Sequence, residues 1–519
     1  MGRDRAAVVV TFDAIESANK HAERVEVTKE AIGEAGRDRN LDRSLMTGIL
    51  WTSAVKWGGQ AATWVSTLVV ARILGPDAYG LVGMALIYMG LVAILSEFGI
   101  GSAVVTLQTL TRHQIAQINT IAVGFGLVTT IISLGAATFV GRAFGVTQVT
   151  SIVLALSSTL FLGGLQTIPS ALLQRAMRFK LLAIAEGANT ILVAALTVIL
   201  ALAGAGFWAL VIGQVVGAFV LATVLMIASP SPFAAPKRDN LATALTFSSH
   251  TLIARLAWYA FSNADFGVVG RMLGKAALGA YSFGWTMANV PIEKVTSMVL
   301  RVTPAVLAAA QHDHGALRRY LLRITEAIAV ITFPASIGLA LVAEPFVHAA
   351  LGDAWSSTIL PLQLLAVYSG VRSISPLIPQ VLTALGNTRL PMRSNLAGAI
   401  GFPIAFVIAS RWGVAGVAAA WIIVHPFFLA PMYRTAFRAI DLPVKDYVSA
   451  LWPAISGVAV MAVAVLATRH WLTNGLAALA QLLAMSVVGA TAYSLTLLLA
   501  HRSRVRALRT MLSELRASG

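Results

Sequence analysis

The fold is decided by the stretch TSAVKWGGQAATWVSTLVVARILGPDAYGLVG, residues 52–83. It begins as an apolar segment that is long enough to cross a bilayer and that carries one lysine, Lys56. A tight turn at Gly75-Pro76-Asp77 then leads into a second apolar segment. Apolar runs of this length satisfy their backbone in lipid as helices and are too long and continuous for barrel strands. The stretch therefore predicts two membrane-spanning helices joined by a turn.

The same pattern returns 199 residues further along the chain. The segment ARILGPDAYG at 71–80 aligns with GRMLGKAALG at 270–279. In this register Lys56 falls on Arg255, and the offset drifts to about 207 by GFWALVIG (206–213) and GVAGVAAA (413–420). Six helices return a chain to its starting side of the membrane. The repeat therefore predicts two six-helix bundles in the same orientation, related by a pseudo-two-fold axis along the membrane normal.

Composition places the whole chain in the membrane. Of 519 residues, 57% are apolar and 12% are charged, with a mean hydropathy of +0.79. A soluble chain could not cover so much apolar surface with so few charges. We expect an all-α polytopic membrane protein. About fourteen spans are predicted, near 48–71, 80–105, 115–141, 149–172, 181–203, 206–229, 246–269, 277–304, 321–347, 356–384, 391–410, 413–433, 448–468 and 475–500.

The distribution of Lys and Arg gives the orientation. With the N-terminus in the cytosol, 27 of the 38 Lys/Arg lie in or beside the cytosolic segments, and six lie in the opposite loops. This asymmetry follows the positive-inside rule and places both termini in the cytosol. The remaining five lie within predicted spans: Lys56, Arg255, Lys294, Arg301 and Arg372.

These predictions divide the chain into six parts. They are a polar cytosolic tail (1–45), a six-helix bundle (46–229), a cytosolic linker (230–245), a second six-helix bundle (246–440), two additional membrane helices (441–500) and a basic amphipathic cytosolic tail (501–519). The last tail is expected to lie on the anionic inner leaflet, which makes membrane lipid a partner. The chain has no cysteine, and its histidines have no metal-ligand spacing, so no metal or cofactor is expected. The net charge of +16 follows from topology, and no nucleic-acid partner is expected.

Several helix-turn motifs carry a family resemblance. They are ARILGPDAYGLVGMA (71–85), FGIGSAVV (98–105), TRHQ (111–114) and LQRAMRFK (173–180). With these motifs, residues 45–440 resemble the polysaccharide transporter family of Wzx-type oligosaccharide flippases, and above all its lipopolysaccharide biosynthesis proteins. That family belongs to the multidrug/oligosaccharidyl-lipid/polysaccharide exporter superfamily.

The resemblance implies a V-shaped pair of bundles in the bacterial cytoplasmic (inner) membrane. By alternating access they would move undecaprenyl-diphosphate-linked oligosaccharide to the outer leaflet, for O-antigen, capsule or exopolysaccharide assembly. A polysaccharide polymerase and a chain-length regulator are the implied protein partners. The motifs contain no catalytic chemistry, so a transporter and not an enzyme is expected.

Charges inside the spans are the candidate site residues, because each costs about 2.5–3.5 kcal/mol near the bilayer centre unless it faces water or a partner. Lys56 and Arg255 are expected to present paired cations to the diphosphate of the substrate, and thus to make the central cavity cationic. Lys294 and Arg372, which have no expected partner, are further candidates for this head-group site. Arg301 lies near a span end and is expected to anchor the interface.

The carboxylates admit two interpretations. Glu97, Glu293 and Glu326 are candidate coupling groups that a proton could occupy. Alternatively, Glu97 pairs with Lys56 and Glu293 pairs with Arg255, and both pairs are structural. Three others lie near span ends and are expected in solvent: Glu186, Asp265 and Glu344.

Two other functions compete with the flippase. A multidrug/cation antiporter of the same superfamily would need carboxylates where this chain offers Lys56 and Arg255. A membrane-embedded polymerase or glycosyltransferase usually needs a long extramembrane loop, and the predicted loops between spans reach only about seventeen residues. Both alternatives therefore fit the sequence less well.

Overall fold

The structure is a computed structural model that describes most of the membrane region. The described residues are 59–60, 63–96, 100–107, 109–236, 262–300, 303–471, 475–502 and 504, with the single positions 252, 256, 258 and 259. Every regular element in these ranges is an α- or 3-10 helix, and they contain no strand. Nine helical segments in the same ranges, with Arg389–Ala439 counted as one, are long and apolar enough to cross a membrane. An all-α polytopic membrane protein is therefore confirmed, while the total of fourteen spans stays a prediction.

The described helices fall into three groups along the chain. The first group is α1 (Thr63–Ser96), α2 (Ile100–Thr106), α3 (Arg112–Phe144), α4 (Thr147–Arg175), α5 (Phe179–Leu202) and α6 (Trp208–Ala228). The second group is α7 (Ala264–Met272), α8 (Lys275–Leu300), α9 (Thr303–Ala309), α10 (His314–Ala350), α11 (Ile359–Ile374), α12 (Leu377–Ala384), α13 (Arg389–Ala409) and α14 (Gly413–Ala439). The third group is α15 (Val444–Trp471) and α16 (Ala478–Ala500). Short 3-10 helices occupy Asp353–Thr358 and Ser410–Trp412.

Some predicted spans are continuous and others are broken. The span predicted at 356–384 is divided into α11 and α12, which meet at Ser375-Pro376. Proline has no N–H to donate to the preceding turn, so it interrupts a helix at this position. The helix predicted at 321–347 instead begins earlier, at His314, where Asp313 caps it by accepting a hydrogen bond from the Ala316 N–H.

Two glycines at equivalent positions of the repeat have positive φ angles. Helix α1 continues through Gly75. The φ of Gly75 is +73°, which lies outside the range of a regular right-handed helix. Its repeat equivalent, Gly274, has φ +90° between α7 and α8. Glycine adopts this left-handed conformation without a side-chain clash, whereas other residues are strained there. The local turn chemistry is therefore the same at both repeat positions.

The two turns lie against each other. A Cβ added to Gly80 would stand 1.7 Å from the Lys275 carbonyl oxygen, and one added to Gly279 would stand 1.9 Å from the Pro76 carbonyl oxygen. In the 199-residue register Gly80 is equivalent to Gly279, and Pro76 is equivalent to Lys275. Gly80 therefore contacts Lys275, and Gly279 contacts Pro76, which is the repeat equivalent of Lys275. Such reciprocal contacts are the pattern of a self-complementary interface. Neither position has room for a methyl group.

Polar and aromatic contacts reinforce this junction between the first and second groups. Lys275 Nζ lies 3.0 Å from the carboxylate of Asp77, and the Trp355 indole N–H donates to the Ala71 carbonyl oxygen at 2.9 Å. Trp355, Tyr79 and Phe283 pack together with ring centroids 4.8–6.0 Å apart. These contacts join the two groups at the end that the Lys/Arg distribution predicts to face away from the cytosol. We call this region, residues 71–80 with 271–283 and Trp355, the outer junction.

The predicted linker begins as an extended strap along α3. The Gln117 amide donates to the Ala235 carbonyl oxygen at 2.8 Å, and the Asn119 amide donates to that of Ser231 at 3.1 Å. Both amides are buried, and the strap's carbonyl oxygens supply them with acceptors. The first residues of the linker are therefore attached to the first group.

The third group packs against the second group through α10. The Tyr493 hydroxyl donates to the Val330 carbonyl oxygen at 2.7 Å, and Met461, Val465 and Met485 form a small buried core beside it. Arg469 pairs with Glu344 at one end of this packing. The two additional helices are therefore attached along one helix of the second group.

Candidate functional site

The first group encloses a cavity of about 750 Å³. Helices α1, α2, α4, α5 and α6 form its wall, and it extends to the helix ends that are predicted to be cytosolic. This volume lies within the range of small-molecule sites, roughly 300–1,000 Å³. Its polar lining includes Ser96, Thr106, Thr159, Gln166, Thr167, Ser170, Gln174, Glu186 and Gln214. We call this space the first-group cavity.

The polar wall of the first-group cavity has hydrogen-bond donors and acceptors that its contacts within the protein leave unused. The hydroxyls of Thr159 and Thr167 donate back to carbonyl oxygens of their own helix, at 2.6 and 2.8 Å, and keep their lone pairs. The side-chain amides of Gln166 and Gln214 make no hydrogen bond to any described residue. An amide carries both donors and acceptors. The wall can therefore bind a polar, uncharged molecule.

A second cavity, of about 380 Å³, lies between the first and second groups. Leu86 and Gln214 line both cavities, so the two spaces adjoin. The second group contributes Asn263 and Phe266, and Tyr259 reaches across to donate its hydroxyl to the Ile87 carbonyl oxygen at 3.0 Å. The interior space therefore runs from the first-group cavity to the interface between the groups.

Arg372 lies in a polar and aromatic pocket of the second group. Its Nη1 donates to Asn289 Oδ1 at 2.7 Å and to Glu293 Oε1 at 3.2 Å, and its guanidinium carbon lies 5.5 Å from the centre of the Trp285 ring. Its side chain is 35% exposed. Guanidinium groups held in this way suit the oxygens of a phosphate.

The structure brings together some of the predicted site residues. Arg372, expected to have no partner, pairs with Glu293, because α8 and α11 pack together and bring the two side chains into contact. Lys294 is exposed on α8, and its side chain makes no ion pair within the described ranges. The remaining predicted residues lie outside the described residues: Lys56, Glu97, Arg255 and Arg301.

Glu326 is paired with the C-terminal end of the chain. It is buried on α10, and its Oε2 accepts a hydrogen bond from Arg504 Nη1 at 3.1 Å. Nearby, His501 Nε2 lies 2.9 Å from the Ser456 hydroxyl. The predicted coupling carboxylate Glu326 therefore has a cation from the tail as its partner and joins the third group to α10.

Asp265 is a buried carboxylate that the sequence reasoning placed wrongly. It was expected in solvent near a span end, but it is fully buried in α7. It accepts hydrogen bonds from the Tyr281 hydroxyl at 2.7 Å and from the Trp421 indole N–H at 3.1 Å. Its burial could have been predicted from an acidic residue in an apolar helix, since later helices supply tyrosine and tryptophan as hydrogen-bond donors. No group of three His, Asp or Glu side chains suited to a metal ion occurs in the described part of the chain.

An aromatic cluster connects Arg372 with Asp265. The Trp285 ring, which lies under Arg372, is 5.4 Å from that of Trp421, and the Tyr368 ring stacks on Trp421 at 5.2 Å. Trp421 in turn donates to Asp265. This packing fixes the position of the guanidinium relative to the helices around it.

The chain is similar in sequence to known proteins of polysaccharide biosynthesis. The model of a family described as polysaccharide biosynthesis protein matches residues 69–360. The chain is 25% identical over 421 residues to the lipopolysaccharide biosynthesis protein WzxC of Escherichia coli (strain K12), covering 77% of this chain and 84% of that protein. It is 26% identical over 478 residues to the succinoglycan biosynthesis transport protein ExoT of Rhizobium meliloti (strain 1021), covering 90% and 96%.

Solved structures with a similar fold are transporters. The lipid II flippase MurJ in an inward closed conformation matches with a TM-score of 0.72 at 15% identity, over 88% of this chain and all of that one. An inward-facing multidrug resistance MATE family transporter of the MOP superfamily matches with a TM-score of 0.57 at 14% identity, over 74% and 94%. At these identities the likeness concerns the fold.

Proposed function

Because this chain belongs to the polysaccharide biosynthesis protein family, we propose that it is a flippase for undecaprenyl-diphosphate-linked oligosaccharide. It would move this lipid from the inner to the outer leaflet of the bacterial cytoplasmic membrane during O-antigen, capsule or exopolysaccharide assembly. The relatives in lipopolysaccharide and succinoglycan biosynthesis and the flippase-like fold support this assignment. Members of the family act as transporters and not as enzymes.

One observation carries the proposal. The two adjoining cavities extend from the predicted cytosolic end to the interface between the groups, and the outer junction closes the opposite end. A polar interior that is open to one side at a time is what alternating access requires. The arrangement corresponds to a state that can receive substrate from the cytosolic leaflet.

The outer junction also supports the proposed pseudo-two-fold relation of two six-helix bundles. Gly80 and Gly279 make reciprocal contacts, and both stand five residues after a glycine with positive φ. A two-fold axis passing between them would produce this arrangement. The two bundles would then separate at this junction when the transporter opens outward.

The diphosphate would be bound by intramembrane cations. Arg372 supports this assignment best, because its guanidinium is held by Asn289 and stacked on Trp285 while its side chain is partly exposed. Lys56 and Arg255 remain the proposed head-group contacts of the two repeats, and Lys294 is a further one. Together they would give the cationic character proposed for the central cavity.

Coupling to an ion is proposed for Glu97 on the sequence argument alone. Glu293 and Glu326 remain candidates, although each is paired with an arginine in the structure. Glu97 is therefore the first of the three to test.

A multidrug/cation antiporter is the second candidate function. The fold likeness to a multidrug transporter and the carboxylate of Glu186 on the wall of the first-group cavity favour it. A cationic drug would meet this single carboxylate among the described lining residues. A cationic drug would leave the many neutral polar groups of the same cavity without hydrogen bonds.

A gene deletion distinguishes the two functions. If the chain is the flippase, cells that lack it lose surface polysaccharide and accumulate undecaprenyl-linked oligosaccharide, and a plasmid copy restores both. Unchanged surface polysaccharide together with increased sensitivity to cationic drugs would contradict the flippase and establish the antiporter.

A further inference from the structure

We propose that the first-group cavity is a glycan subsite, which binds the sugar residues of the substrate while the diphosphate is bound elsewhere. The inference rests on the proposed flippase function and adds a division of the substrate between two places. Its ligand class is an oligosaccharide of uncharged or amino sugars.

The chemistry of the wall matches sugar hydroxyls. A hydroxyl both donates and accepts, and so does the side-chain amide of glutamine. Gln166 and Gln214 have no hydrogen-bond partner within the described ranges, and Gln174 makes only a long contact of 3.4 Å to a serine hydroxyl. Gln166 and Gln174 belong to α4 and Gln214 belongs to α6, so two helices present glutamine amides to one cavity. A ligand with many hydroxyls would use them.

Charge separates this cavity from the proposed phosphate site. Among the described lining residues of the first-group cavity, Glu186 is the one charged side chain, and it is negative. Glu186 would disfavour another anion beside it, such as a diphosphate or a uronic acid, and would not disfavour a neutral or amino sugar. Arg372 lies in the second group and does not line this cavity.

The first-group cavity continues toward the second group. Gln214 lines the first-group cavity and also the cavity between the groups. A glycan in the first cavity would therefore continue past Gln214 toward the interface between the groups. The lipid-linked substrate has its sugars and its diphosphate in this same linear order.

Gly163 offers a direct probe of occupancy. It lines the cavity, and a Cβ added to it would find no atom within 4 Å, so a side chain there would project into open space. The chain contains no cysteine, so Gly163→Cys would carry its only thiol. The purified full chain in nanodiscs is treated with a water-soluble methanethiosulfonate, and the rate of modification is measured.

Two ligands are compared. The first is the water-soluble oligosaccharide released by mild acid from the lipid-linked oligosaccharides of the same cells, and the second is undecaprenyl diphosphate without sugar. At about ten times its dissociation constant, the oligosaccharide should slow modification of the thiol about tenfold. Undecaprenyl diphosphate should leave the rate unchanged. The control is Ala176→Cys, which is exposed at the end of α4 and does not line the cavity, and its rate should not change with either ligand.

Two results would overturn the glycan subsite: no slowing by the oligosaccharide, or equal slowing by undecaprenyl diphosphate. If Gly163→Cys does not reach the membrane, Thr159→Cys on the same wall replaces it under the same criteria. Export in the deletion strain is measured separately with the native chain. Export without protection refutes the glycan subsite alone, whereas protection without export supports the subsite and refutes the flippase.

Discussion

Substitution of Gly80 by alanine should open the outer junction. The added methyl would stand 1.7 Å from the Lys275 carbonyl oxygen, which is backbone and cannot rotate away. The helices must move apart to accept it, and overpacking of this kind costs about 1–3 kcal/mol. If the open arrangement of the outer junction does not carry this cost, the ratio of closed to open molecules falls by about five- to 150-fold.

Cross-linking measures this shift. In a chain without native cysteine, Asp77→Cys and Lys275→Cys replace the two ends of the 3.0 Å ion pair, and a short bifunctional thiol reagent bridges them in the closed arrangement. Adding Gly80→Ala should slow bridging, because the closed population falls.

Gly83→Ala on the same helix is the matched control. Its Cβ would lie 3.5 Å from a Leu278 methyl, which is an ordinary contact, so bridging should keep its original rate. The reasoning is refuted if Gly80→Ala and Gly83→Ala bridge equally fast while both proteins are present in the membrane at the level of the parent.

Three further changes test other parts of the molecule. Gly163→Leu should block export by filling the first-group cavity, whereas Gly135→Leu, at an exposed position with no atom near its Cβ, should leave surface polysaccharide unchanged. Arg372→Lys should reduce export about tenfold or more in a flipping assay at equal protein, because a lysine cannot both contact Asn289 and stack on Trp285; a lost charged hydrogen bond costs about 1.5–3 kcal/mol. Asp265→Leu should lower the melting temperature in detergent, since it leaves the buried Tyr281 hydroxyl without its acceptor at about 1–3 kcal/mol, while the Trp421 N–H keeps the Tyr281 oxygen at 3.1 Å; an unchanged melting temperature would contradict that role.

The repeat predicted local structure well, because turn chemistry is encoded within a few residues. Gly75 and Gly274 stand where only glycine adopts the required φ without strain, although the structure continues α1 through Gly75 where two separate helices were predicted. The alignment also identified Gly80 and Gly279 as equivalents. That these two glycines lie at one junction could not be read from the sequence, because their contact depends on how the helix groups pack.

The partners of charged residues were predicted less well. Arg372 and Glu293 are 79 positions apart and meet because α8 packs against α11, which hydropathy does not reveal. Asp265 was placed by its distance from a predicted span end, yet Tyr281 and Trp421 from other helices shelter it from solvent. Sequence patterns predict how far a residue lies from the end of its helix. Its partners depend on the direction in which its side chain points, which these patterns do not give.

The first-group cavity was also missed, for a related reason. Its glutamines are uncharged, so a search for costly intramembrane charges passed over Gln166 and Gln214. A single glutamine is common in membrane helices and indicates little. Only the packing of α4 and α6 around one space makes these amides a group.

The most direct test of alternating access is reversible cross-linking of the outer junction during transport. Vesicles that contain the Asp77→Cys/Lys275→Cys chain are loaded with lipid-linked oligosaccharide from the same cells, and the fraction reaching the opposite leaflet is measured. We predict that flipping stops in proportion to the bridged fraction and recovers when the bridge is cleaved by a reductant. Flipping at the full rate with every molecule bridged would contradict the account.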